Sequence, residues 1–67
     1  MNDDEKELQE LKTLVCSKNF GGMDDFSKER SHILNLTYGC MRQEKKRFGE
    51  CQKIAWERYR DAVEGCL

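Results

Sequence analysis

The chain has 67 residues, no proline, four cysteines and a net charge of −1, with 37% of its residues charged in interspersed sign. A chain this short buries only about 60% of its unfolded surface, so it has one marginal core that needs disulfides, a metal or a partner for support. Valine and isoleucine total four while Glu, Lys, Leu, Arg and Gln abound, which excludes a sheet; no apolar run reaches membrane-spanning length.

The N-terminus is acidic and lacks an apolar stretch of signal-peptide type, so an intracellular protein is expected. The first helix should begin at Asn2-Asp3-Asp4-Glu5. There Asn2 can cap, Glu5 occupies the capping-box position and the acids favour the positive end of the helix dipole. Leu8, Leu11, Leu14 and Val15 then recur at helical spacing. Gly21-Gly22 disfavours helix, so the first helix is predicted over about 3–17.

Asp24 and Asp25 are candidate caps of a second helix, ahead of Ser27. Phe26, Ile33, Leu34, Thr37, Cys40 and Met41 fall broadly on one side, which predicts a helix over about 25–41. The sequon Asn35-Leu36-Thr37 falls within it and reads as a chance match.

Residues 42–49, Arg-Gln-Glu-Lys-Lys-Arg-Phe-Gly, contain no breaker except Gly49, which costs a helix only about 1 kcal/mol. Local propensity therefore permits one helix from 25 to 65. Typical helix length, about 11–12 residues, favours a turn here, with Lys45-Lys46-Arg47 at a helix C-terminus. A third stripe follows: Cys51, Ile54, Ala55, Tyr59, Ala62, Val63 and Cys66, with Gly65 as C-cap, predicting a helix over about 50–65.

Cys16, Cys40, Cys51 and Cys66 are separated by 23, 10 and 14 residues. Zinc sites use short-range pairs within one turn, and thiol oxidoreductases use C-x-x-C; neither is present. Disulfides can be judged by geometry, since a bridge needs Cα atoms within about 7 Å. On one continuous helix Cys40 and Cys51 would be about 16 Å apart. If the chain turns at 43–48, they flank the turn and can bridge. An up-down-up bundle then puts Cys16 beside Cys66, provided the first helix ends near Cys16, which lies off the Leu8–Leu11–Val15 stripe. The expectation is Cys40–Cys51 at one end and Cys16–Cys66 at the other. The competing architecture, a hairpin with one long second helix, predicts free thiols or bridges between chains.

Cys40-x₁₀-Cys51, ending in Phe48-Gly49-Glu50-Cys51, looks similar to one cysteine pair of the coiled-coil-helix-coiled-coil-helix proteins of the mitochondrial intermembrane space. Cys16 and Cys66 do not supply that family's second pair, so the likeness is an analogy and not membership. Paired cysteines point to an oxidising compartment such as that one.

Charge is uneven. Residues 1–29 carry eight acids and four bases, and residues 42–60 carry seven bases and three acids. Such asymmetry suggests packing of the two regions on each other or an acidic partner. The cluster Arg42, Lys45, Lys46 and Arg47 reads first as a solvated turn and second as an electrostatic guide. His32 has no paired nucleophile, Gly21-Gly22 is a turn and not a phosphate loop, and no catalytic, cofactor or metal residues are expected.

The fold class expected is all-α: a disulfide-stapled three-helix bundle, or alternatively the helical hairpin. The function expected is non-enzymatic. An apolar helical face would bind a protein partner or a second copy, with Trp56, Tyr59, Leu36 and Tyr38 in contact and Arg42, Lys45, Lys46 and Arg47 guiding. Two alternatives stand: a regulator binding nucleic acid or an acidic protein through residues 42–47, and a thiol–disulfide redox protein. No small-molecule substrate is expected.

Overall fold

A computed structural model describes residues 3–66; the expected Asn2 cap lies outside them. Three helices run up, down and up: α1 (Asp3–Val15), α2 (Met23–Glu44) and α3 (Phe48–Val63), with a closing 3₁₀ turn at Glu64–Cys66. The chain is the expected all-α three-helix bundle, and the long-helix hairpin is excluded by the break at residues 45–47.

α1 ends at Val15, two residues before the expected limit, and the Cys16 amide still bonds to the Lys12 carbonyl at 2.9 Å. Ser17, Asn19 and the glycine pair then prevent continuation, and Gly21 takes φ 139°, which suits glycine. α2 begins at Met23, ahead of the expected Asp24–Asp25 caps. Asp25 acts from inside the helix: its carboxylate accepts the Gly21 and Gly22 amides at 3.2 and 3.3 Å. This is the reciprocal arm of a capping box, and it gives two amides at the helix entrance a partner.

α2 runs three residues beyond the expected 41 because Arg42, Gln43 and Glu44 are all good helix formers. It stops at Lys45, which takes the left-handed conformation (φ 54°) while its amide bonds to the Met41 carbonyl at 3.0 Å. Gly49, the one conventional breaker in this region, lies inside α3 instead. The turn is thus made by a lysine in a conformation that costs a non-glycine residue about 1–2 kcal/mol, and the Cys40–Cys51 bridge clamps its two sides.

Both expected disulfides are present, each with Cα atoms 5.6 Å apart: Cys16–Cys66 joins the ends of α1 and α3, and Cys40–Cys51 joins α2 to α3. They lie at opposite ends of the bundle. Cys51 and Cys40 are buried (0% and 5% exposed), whereas Cys66 is exposed.

Between the bridges lies a core of Leu11, Val15, Ile33, Leu36, Ala55 and Val63, with Leu8, Phe20 and Tyr59 packed against it. Phe26, expected on the inward side of α2, is 52% exposed. One polar cross-link joins each pair of helices. Glu7 meets His32 (2.6 Å) and Asn35 (3.3 Å) between α1 and α2; Asp4 meets Arg58 (3.6 Å) between α1 and α3; the Tyr59 hydroxyl donates to Glu29 between α2 and α3.

Asp4 is buried, and its partner surface explains a glycine. A Cβ at Gly39 would lie 2.6 Å from Asp4 Oδ1. Gly39 therefore makes the room that brings α1 and its carboxylate onto α2. Among the described residues no helix is long and apolar enough to cross a membrane.

Candidate functional site

The site is a groove of about 470 Å³ between α2 and α3, lined by Phe26, Ile33 and Leu34 with the charged pair Glu29 and Arg30 on one side, and by Phe48, Gln52 and Trp56 on the other. Both walls follow from helical spacing. Phe48, Gln52 and Trp56 recur every fourth residue of α3 and so lie one above another. On α2, Phe26, Arg30, Ile33 and Leu34 follow the same three-four spacing. The inward stripes of the two helices meet in the core, to which Ile33 belongs, and the other lining residues occupy the flank just outside it.

Three of the lining aromatics are exposed, Phe26 by 52%, Trp56 by 43% and Phe48 by 38%. Each is held against a second ring. Phe26 meets Phe20 edge-on at 5.1 Å between centroids, Trp56 meets Tyr59 edge-on at 5.4 Å, and Phe48 meets Tyr38 in a tilted contact at 6.0 Å. Such contacts contribute about 0.5–1.5 kcal/mol each beyond burial and restrict the rings. A groove with prearranged walls loses less side-chain freedom when it is filled.

Of the residues expected to touch a partner, Trp56 stands at the groove and Tyr38 braces it from behind Phe48. Tyr59 is half-buried and supports Trp56 from below. Burial, then the hydrogen bond to Glu29, then the Glu29 charge raise its phenol from 10.0 to about 12, so it is neutral at physiological pH. Leu36 does not belong to any surface: it is 1% exposed, deep in the core, because α2 turns that face toward both other helices. Arg42, Lys45, Lys46 and Arg47 are all exposed around the α2–α3 turn, and Lys46 pairs locally with Glu44 at 3.3 Å. Phe26 and Phe48 were not among the expected contact residues. The sequence signal for Phe48 was its four-residue spacing to Gln52 and Trp56.

Elsewhere, Glu7, Glu10 and His32 each bring one ligand-type atom within 4.8 Å of the others. Glu7 is already bonded to both His32 and Asn35, as an α1–α2 cross-link. Thr37 of the sequon is fully buried and donates its hydroxyl to the Ile33 carbonyl at 2.8 Å, so that tripeptide is part of the core.

No protein-family model matches this chain, and no curated protein or solved structure is measurably similar to it.

Proposed function

We propose that this chain is a non-enzymatic interaction module that seats a helical segment of a partner protein in the α2–α3 groove. The observation that carries the reading is the trio of exposed aromatics, Phe26, Phe48 and Trp56, each braced by a second ring around an apolar concavity. Exposed and rimmed apolar surface on a small protein is characteristic of contact sites, and tryptophan is a frequent anchor within them. Helix-in-groove recognition needs such a trough, with anchors spaced at about one turn. Two disulfides favour an oxidising compartment as the place of action.

A photoreactive amino acid placed at position 48 tests the reading, with the same group at exposed Lys12 on α1 as control. Adducts of a discrete partner from position 48 and none from position 12 are expected. Equal labelling from both positions, or no adduct at 48, contradicts it.

A further inference from the structure

We propose that Glu7, Glu10 and His32 form a binding site for one divalent transition-metal ion of the zinc class, at the seam between α1 and α2. Glu7 and Glu10 lie three residues apart on α1, and His32 and Asn35 three apart on α2, so each pair shares a helix face. The two faces meet, since Glu7 is bonded to both His32 and Asn35. One ligand-type atom from each of Glu7, Glu10 and His32 falls within 4.8 Å of the other two. Metal sites in helical bundles are built in this manner, from side chains on facing helices. No short sequence motif announces such a site, because its donors come from two helices.

The donors suit such an ion. Zinc takes imidazole nitrogen and carboxylate oxygen at about 2.0–2.2 Å, and a tetrahedral ion at those distances holds its ligands about 3.4 Å apart. Glu7 Oε2 and His32 Nδ1 already meet at 2.6 Å and need only part slightly, while Glu10, exposed on α1, has room to swing inward. His32 binds through Nδ1 in the tautomer that carries its proton on Nε2. Asn35 donates to Glu7 Oε1 at 3.3 Å and leaves Oε2 turned toward His32. An outer partner of that kind orients a ligating carboxylate. Two carboxylates and a neutral imidazole balance a doubly charged ion, so the half-buried complex is formally neutral. Magnesium and calcium favour all-oxygen shells and are the poorer match. No thiolate competes, since all four cysteines are bridged.

Two observations separate this cluster from an ordinary surface cross-link. Glu10 is surplus to the cross-link: it has no ion pair among the described residues, yet it stands beside the like charge of Glu7, an arrangement that costs stability until a cation joins them. The site also falls on the one seam without a covalent staple. Cys16–Cys66 ties the ends of α1 and α3, and Cys40–Cys51 ties α2 to α3, so neither bridge joins α1 to α2. A metal there completes the set, in a chain short enough to need staples. A cleft of about 380 Å³ opens beside Glu7, Glu10 and Asn35 and gives the ion a path in, with room for water in its remaining positions. Lys6 and Arg42 also line that cleft; both are exposed, and they weaken the local negative potential without entering the donor set.

Titration of the oxidised protein with Zn²⁺ alone tests the proposal, read by calorimetry, by thermal denaturation and by the ring signals of His32, the sole histidine. One ion per chain is expected, with displacement of the His32 signals. At a free Zn²⁺ concentration about a hundred times the Kd, the melting temperature should rise by about 10 °C or more. Glu10→Gln should weaken binding at least about tenfold, the lower end of what loss of an outer partner alone costs, with helicity unchanged because Glu10 is exposed. His32→Gln should abolish binding. Mg²⁺ at the same concentration should move neither the melting temperature nor the His32 signals.

Absence of Zn²⁺ binding overturns the proposal. So does binding that both variants retain, which marks an ion held elsewhere on the surface. Loss in His32→Gln but not in Glu10→Gln reduces the site to a bare imidazole contact and overturns the three-ligand assignment. An equal response to Mg²⁺ reduces it to an acidic patch, with the same consequence.

Discussion

Removing the Cys16–Cys66 bridge, by Cys16→Ser with Cys66→Ser, perturbs the fold at the end where α1 and α3 finish. The bridge spans 50 residues of sequence. In the chain-entropy treatment, a closed loop of that length restrains the unfolded state by about 4 kcal/mol, and the 11-residue separation of Cys40 and Cys51 by about 3 kcal/mol. A domain of this length has a total stability of only about 3–10 kcal/mol. Loss of the long bridge therefore removes much of it, and urea unfolding followed by helical circular dichroism should show a fall of about 4 kcal/mol. Reduction adds a second readout. Cys66 is an exposed residue and Cys16 a half-buried one, while Cys40 and Cys51 are buried. Mild reductant followed by alkylation and peptide mapping should label Cys16 and Cys66 before the other pair. A loss under about 1 kcal/mol in the double-serine protein, or first labelling at Cys40 and Cys51, refutes the reasoning.

Three other outcomes follow from named contacts. Gly39→Ala should lower stability by about 1 kcal/mol, because overpacking against Asp4 outweighs the gain in helix propensity; with Asp4→Ala beside it, the same change should stabilise by about 0.5–1 kcal/mol, and thermal denaturation of the four proteins checks the reversal. Lys45→Gly should stabilise by about 1 kcal/mol by relieving the left-handed lysine at the α2 end, and an unchanged urea midpoint contradicts that account. In Tyr38→Phe protein the remaining phenol should ionise near pH 12, read by ultraviolet titration, and near its ordinary 10.0 if the fold does not hold it. Because the folded value is the raised one, this group's contribution to stability is intact below pH 10 and is lost as pH rises from 10 toward 12.

Much of the bundle was legible in the sequence through its cysteines. Their separations lack the short-range spacing of a zinc or C-x-x-C site and fit an up-down-up arrangement, and the two observed bridges are the two expected of that arrangement. The end of α1 was legible for the same reason, since Cys16 reaches Cys66 only if the helix stops there. The break at 45–47 was legible as a region and not as a residue: Gly49 was the one conventional breaker, yet the left-handed residue is Lys45.

The groove was only partly legible. Trp56 and Tyr38 signalled surplus apolar surface, but periodicity does not separate the centre of a stripe from its edge. Leu36 and Phe26 consequently exchanged roles, Leu36 going to the core and Phe26 to the surface. The burial of Asp4 against Gly39 had no local signal, since an acid at a helix start and a glycine within a helix each have an ordinary reading alone. Their pairing exists only once α1 lies on α2.

The central claim is that Phe48 and Trp56 form a partner-binding wall. Its most direct measurement is the affinity of the partner recovered by cross-linking at position 48, titrated against the unmodified protein and against Phe48→Ala with Trp56→Ala. Both proteins should keep the same helical circular dichroism, because the two rings lie outside the core. Loss of two aromatic anchors should weaken binding by at least about 30-fold. Undiminished affinity in the double variant contradicts the account.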